Sequence, residues 1–149
     1  MPRVTVPVTV RWSDMDAFGH VNNVQSLRLL EEVRVRAFED LRAGGPGLLE
    51  TGVLVARHEV EYLQPLSWRL APVPVDLWVT DIGGASFDLG YEVYDQEPGR
   101  QRRVYLRAAS TMVTFDIASG TTRRVSDVER AVLEGWTDEP VPFRRRARA

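Results

Sequence analysis

The order of hydrophobic periodicities predicts an α+β chain: a continuous antiparallel sheet of about five strands with one long helix on one face. Three observations carry this. Strict period-two alternation opens the chain, one stretch of three-and-four spacing follows, and four further strand-like segments with hairpin-like connections come after it. Strands joined by short turns pair antiparallel, and a lone helix can bury its apolar stripe against one sheet face only.

The first strand is read from Val4, Val6, Val8, Val10 and Trp12, which alternate with Thr5, Pro7, Thr9, Arg11 and Ser13. Pro7 lacks a backbone donor, which places this strand at an edge or a bulge. The helix is expected over residues 23–42, where Leu27, Leu30, Val33, Ala37, Phe38 and Leu41 form one apolar face. Asn22 or Asn23 can cap its start, and Gly44-Gly45 can end it. Glu32 and Arg36 have the spacing of a favourable helical ion pair.

The second strand is expected over residues 52–63, with His58, Val60 and Tyr62 alternating against Glu59 and Glu61. Val73, Val75, Leu77 and Val79 mark a third, with Trp78 on its other face, and Gly83-Gly84 reads as a turn. Phe87, Leu89, Tyr91 and Val93 mark a fourth. Residues 95–102 form a hairpin loop, and residues 103–116 a fifth strand with apolar residues on both faces. Ser126 and Glu129 have capping-box spacing, so a short helix is expected to start there. Trp78 and the two-sided last strand suggest that the second sheet surface, or an edge, meets another subunit. With no repeat and no linker, residues 1–149 read as a single domain. Its core is about 4–117, and its short C-terminal helix and basic tail cover 126–149.

Composition limits the function classes. The 149 residues are 44% hydrophobic and 27% charged, a globular balance. A net charge of −2 argues against a nucleic-acid partner. All nineteen basic residues are arginine. The chain has no cysteine, which excludes disulfides, thiolate metal sites and cysteine nucleophiles. His20 and His58 are the only histidines, too few for a histidine-rich metal site, so no metal is expected. The N-terminus does not read as a signal peptide and no apolar run spans a bilayer, so no membrane partner is expected and the default address is cytoplasmic.

Chemistry concentrates in Arg11-Trp12-Ser13-Asp14-Met15-Asp16-Ala17-Phe18-Gly19-His20-Val21-Asn22-Asn23, between the first strand and the helix. A carboxylate just before a helix N-terminus stands beside unpaired N–H groups and the positive end of the helix dipole. That combination can set an anionic base or nucleophile next to an oxyanion site.

This run, followed by Glu31-Glu32-Val33-Arg34, resembles the signature of hotdog-fold acyl-CoA thioesterases, in particular the 4-hydroxybenzoyl-CoA thioesterase-like group. Plant acyl-ACP thioesterases carry a similar aspartate-to-histidine run. The resemblance implies a hotdog fold, a long helix wrapped by a curved antiparallel sheet. It also implies a homodimer whose sheets join, often a homotetramer, with active sites at the subunit interface. It makes Asp16 the catalytic carboxylate, the Asn23 N–H the donor that polarises the thioester carbonyl, and His20 an assisting residue. The chain departs from the family at Ser26, where tyrosine is common, at Leu29, often aromatic, and at Arg69-Leu70-Ala71, where a glycine-aspartate is frequent.

Each residue also has a plainer reading. Asp16 alone is an ordinary turn aspartate, and the whole motif gives it a catalytic one. Asp14 reads as structural. His20 is either a buried histidine bonded to a backbone carbonyl or a general acid/base. Asn22, Glu31 and Ser86 are the candidate substrate contacts, with Ser86 an ordinary turn serine by default. The arginines Arg57, Arg69, Arg102 and Arg103 are candidates for coenzyme A phosphates. The expected function is hydrolysis of an acyl-CoA thioester to the free acid and CoA. No cofactor is expected beyond the coenzyme A of the substrate. Asp16 acts as base or nucleophile, and the two roles are left open. The alternatives are an acyl-ACP thioesterase and a non-catalytic acyl-binding hotdog protein.

Overall fold

The computed structural model describes residues 2–40, 42 and 47–144. The expected helix stop at Gly44-Gly45 and the arginine run from residue 145 onward lie outside the described residues. In chain order the elements are β1 (Val4–Val8), a 3-10 turn (Trp12–Asp14), α1 (Asn23–Asp40), α2 (Leu48–Thr51), β2 (Val53–Tyr62), β3 (Val73–Ile82), β4 (Ser86–Asp95), β5 (Arg103–Thr114) and α3 (Asp127–Glu134). The five strands form one antiparallel sheet in the order β1-β3-β4-β5-β2. With α1 packed on one face, this is the hotdog fold expected from the sequence.

β1 is an edge strand, the first of the two placements that Pro7 favours, and Pro7 sits opposite Pro74 of β3. The alternation was expected to carry this strand to Trp12. It ends at Val8, and Trp12 is 70% exposed in the 3-10 turn. Asp14 takes the chain away: its carboxylate accepts from the Arg11 N–H at 2.8 Å and closes the turn. The four-residue α2 was not anticipated, because one turn of helix is too short to show a period.

α1 buries Leu29, Leu30, Val33, Ala37 and Phe38 against the inner face of the sheet. That face supplies Val75, Leu77, Leu89 and Tyr91, all fully buried, and Phe87 meets Phe38 edge to face. Each such aliphatic side chain contributes about 1.5–3 kcal/mol on burial. Glu32 bridges Arg28 and Arg36 along the exposed side of the helix. α3 starts at the expected capping box, with the Ser126 hydroxyl accepting from the Glu129 N–H and the Glu129 carboxylate accepting from the Ser126 N–H.

The outer face corrects one expectation. Trp78 does not wait for a second subunit; the chain's own C-terminal segment covers it. Beyond the end of β1, residues 136–138 take over the edge of β3, through the Val79 N–H to the Trp136 carbonyl and the Asp138 N–H to the Val79 carbonyl, both 2.9 Å. The segment then crosses the face. The Glu139 carbonyl accepts from Trp78 Nε1 at 2.7 Å, and the Arg3 guanidinium lies 3.8 Å from the ring centroid. Gly90 lies opposite Trp78 in the β3–β4 register and has no side chain to hold the ring away. The absence of any period in this segment hid its role.

Candidate active site

The run between β1 and α1 folds into a tight loop. Met15 bridges Val21, the Asp16 N–H donates to the His20 carbonyl at 2.8 Å, and the Gly19 N–H donates back to the Asp16 carbonyl at 3.2 Å. Gly19 has φ +76°, a left-handed conformation that disfavours any side chain. Asp14 anchors the loop from below. It is fully buried, and its carboxylate accepts from Arg28 Nη2 at 2.6 Å and from Arg11 Nη2 at 3.0 Å. Burial alone would raise its carboxyl group, but the Arg11 N–H and guanidinium and the Arg28 charge outweigh that and hold it below the ordinary range. Asp14 is therefore the structural member of the pair, as expected.

Asp16 is half-buried and carries the loop's second set of bonds. Its Oδ1 accepts from the Phe18 N–H at 2.9 Å and weakly from the His20 N–H at 3.4 Å. This is the turn geometry of the plain reading, and it fixes the side chain without using Oδ2 as an acceptor for either bond. His20 is exposed. Its backbone, rather than its ring, makes the loop bonds.

Asn22 is the helix cap. Its Oδ1 accepts from the Val24 N–H at 2.9 Å and its carbonyl accepts from the Ser26 N–H at 3.0 Å. Asn23 is the first helical residue, and a helix leaves the N–H at that position without an internal acceptor. Asp16, His20 and Asn23 all line one cavity of about 400 Å³, between the start of α1, the end of β2 and the middle of the sheet. Its apolar wall includes Leu29, Leu66, Val93 and Leu106, and Tyr62, Gln64 and Tyr105 add polar groups.

Three of the six candidate site residues therefore converge. Asn22 is engaged in capping, Glu31 is exposed on α1, and neither lines the cavity. Ser86 opens β4 in the β3–β4 hairpin, where its carbonyl accepts from the Gly83 N–H at 2.7 Å, and it too stands outside the cavity lining. Three of the candidate arginines have partners within the chain. Arg69 pairs with Asp95, Arg102 with Asp76 and Glu92, and Arg103 Nε donates to Gln64 at 2.6 Å. His58 bonds Ser110 at 2.7 Å on the helix side of β2, and burial and then the nearby Arg34 lower its pKa. Among the described residues, no three His, Cys, Asp or Glu side chains cluster as a metal site, and no helix is long and apolar enough to cross a membrane.

Sequence reasoning missed Tyr62, Tyr105, Val93 and Leu106 as cavity residues. The period-two pattern placed Tyr62 on the same side of its strand as His58 and Val60. The pairing of β2 with β5 and of β5 with β4, which brings the four together, carries no local signal.

Residues 10–143 match the family model of the thioesterase-like superfamily. The chain belongs to that superfamily. Solved members of similar shape include a predicted thioesterase from Bacillus stearothermophilus, 24% identical, with TM-score 0.78 and coverage of 93% of this chain and 98% of that one. A thioesterase from Thermus thermophilus, solved in complex with coenzyme A and Zn, is 27% identical, with TM-score 0.73 and coverage of 93% and 96%. An acyl-CoA thioesterase candidate from Xanthomonas campestris is 33% identical, with TM-score 0.65 and coverage of 81% and 97%.

Proposed function

We propose that this chain hydrolyses an acyl-CoA thioester to the free carboxylic acid and CoA. The carrying observation is that a half-buried carboxylate, Asp16, and the first N–H of a long helix, Asn23, line the same partly apolar cavity. The coenzyme A bound in the Thermus thermophilus thioesterase supports the choice of thiol carrier.

In the general-base route Asp16 takes a proton from water, and the hydroxide attacks the carbonyl carbon. The tetrahedral oxyanion is held by the Asn23 N–H, and collapse expels the CoA thiolate, which takes up a proton. In the nucleophilic route the carboxylate attacks instead and CoA leaves. Water then cleaves the mixed anhydride. Both routes need the same two groups. His20 lines the same cavity, which supports a part for it in exchanging protons with the leaving thiolate or the water. No cofactor enters, since coenzyme A is part of the substrate.

The assembly is proposed to be a homodimer, paired further into a homotetramer, joined through the free edge of β2. That edge, which pairs with no strand among the described residues, exposes Leu54 and Val55.

The test is a panel of aliphatic and aromatic acyl-CoA thioesters, with matched acyl-ACP thioesters alongside, read by release of free thiol. Steady turnover of acyl-CoA supports the proposal. Turnover confined to acyl-ACP transfers it to that carrier, and tight acyl-CoA binding without thiol release would sink the hydrolytic reading. Single-turnover hydrolysis in heavy-oxygen water separates the routes, because only the anhydride route can place label in Asp16.

A further inference from the structure

The backbone around Asn23 is fastened on every side. The Val21 N–H donates to the Leu66 carbonyl at 2.7 Å, the Asn22 N–H to the Asp14 carbonyl at 2.9 Å, and the Val24 N–H to the Asn22 side chain at 2.9 Å. Among the described residues no backbone acceptor takes the Asn23 N–H. Of the four N–H groups of residues 21–24 it is the one with no acceptor among the described residues, and it opens the helix beside the cavity. Three of these fastenings come from the loop, the helix cap and the segment after β2.

One more comes from β2 itself. The Tyr62 hydroxyl, on the last residue of this edge strand, donates to the Asn23 carbonyl at 3.1 Å, spanning 39 positions of sequence. That carbonyl belongs to the same peptide unit as the Val24 N–H, so this unit is held at its oxygen by Tyr62 and at its nitrogen by Asn22. A carbonyl oxygen has two lone pairs, so the tyrosine bond is compatible with the helical bond to the same oxygen. The Tyr62 ring lines the cavity and half of the residue is exposed, so the fold does not depend on its burial. Burial of the hydroxyl raises its pKa, which keeps it a donor across the neutral range.

We propose that Tyr62 is a positioning residue for the reaction: its hydroxyl locks the first peptide of α1 against β2 and so aims the Asn23 N–H at the thioester carbonyl. This rests on the thioesterase reading given above. Tyr62 does not touch the reacting atoms in this role. It sets the direction of the donor that does, and small misplacements of an oxyanion donor lower turnover more than binding.

Tyr62→Phe removes the hydroxyl and keeps the ring. The expected result is a fall in kcat of about tenfold with KM nearly unchanged, since a lost oxyanion donor costs about a hundredfold or more and a misaimed one less. Amide hydrogen exchange at Val24, whose peptide unit Tyr62 holds, is expected to quicken, a readout that does not depend on turnover. Wild-type kcat in a folded Tyr62→Phe variant, with wild-type exchange at Val24, overturns the clamp while the thioesterase reading stands. A rise in KM with kcat preserved overturns it as well, because Tyr62 would then only bind substrate. A wild-type protein that releases no thiol from any acyl-CoA overturns the reading and the clamp together.

Discussion

Replacing Asp16 by asparagine separates the residue's place in the loop from its place in the chemistry. Oδ1 holds the Phe18 N–H at 2.9 Å and, at 3.4 Å, a much weaker bond to the His20 N–H. Asparagine keeps an acceptor oxygen at that position and loses only the charge, so the expected stability loss is about 0.5–1 kcal/mol. Alanine loses both bonds and should cost about 2 kcal/mol. The catalytic loss runs the other way. A missing general base lowers turnover by about 10²–10⁴-fold, equivalent to about 3–5 kcal/mol of barrier. Both variants should therefore be almost inactive, while only alanine is clearly less stable. Thiol-reagent detection of CoA release suits the measurement, because the chain has no cysteine to react. Thermal unfolding of the same samples gives the stability half. A folded Asp16→Asn protein that keeps more than about a tenth of wild-type kcat would refute the assignment of Asp16.

Two further predictions concern stability. Gly90→Ala places a Cβ 2.6 Å from the Trp78 ring and 2.8 Å from Val141, and Trp78 is held by Glu139, so the variant should lose about 1–3 kcal/mol in denaturant unfolding; an unchanged midpoint would mean the C-terminal cover is loose. Glu129 is held at about 2, because its bonds to Arg123 and Ser126 outweigh the burial that would raise it. A carboxyl depressed in the folded state stabilises fully above its unfolded value and loses that contribution as pH falls through its folded value; solvent screening at this partly exposed pair brings the contribution to about 1 kcal/mol. The stability gap between wild type and Glu129→Gln should therefore be level from about pH 5 upward and close between about pH 4.5 and 2; a gap that widens on acidification would contradict the sign.

The parts of this protein that repeat or cap locally were legible in the sequence. Alternation marked four of the strands and a two-sided apolar stretch the fifth, three-and-four spacing marked α1, and Ser126 with Glu129 marked α3. Pro7 placed β1 at an edge. The structural place of Asp14 was also legible, although the reason for it was not: Arg28, one of the two arginines that hold Asp14, lies on the helix fourteen residues away. What stayed hidden depends on long-range pairing. Trp78 looked like an interface residue because the segment that covers it has no period of its own. Tyr62, Val93 and Leu106 meet only after β2 has joined β5 and β5 has joined β4. Ser86 and Glu31 were placed correctly on their elements, but those positions do not reach the cavity.

The sheet order also has a consequence for the sequence of folding events. β3, β4 and β5 are a meander of neighbours joined by hairpins, whereas β1 must close a loop of about seventy residues and β2 one of about fifty to find their partners. Local pairings form early and distant ones late. Asp16 and Asn23 hang from the end of β1, and Tyr62 sits at the end of β2, so these three polar residues of the cavity belong to the two latest-docking strands. The apolar wall, Val93 and Leu106, belongs to the early meander. The apolar wall is thus built first and these polar residues are added to it. In the native state the five-residue edge strand β1, which leads into Asp16 and Asn23, is where partial opening costs least, so loss of activity should precede loss of the sheet as the protein is destabilised.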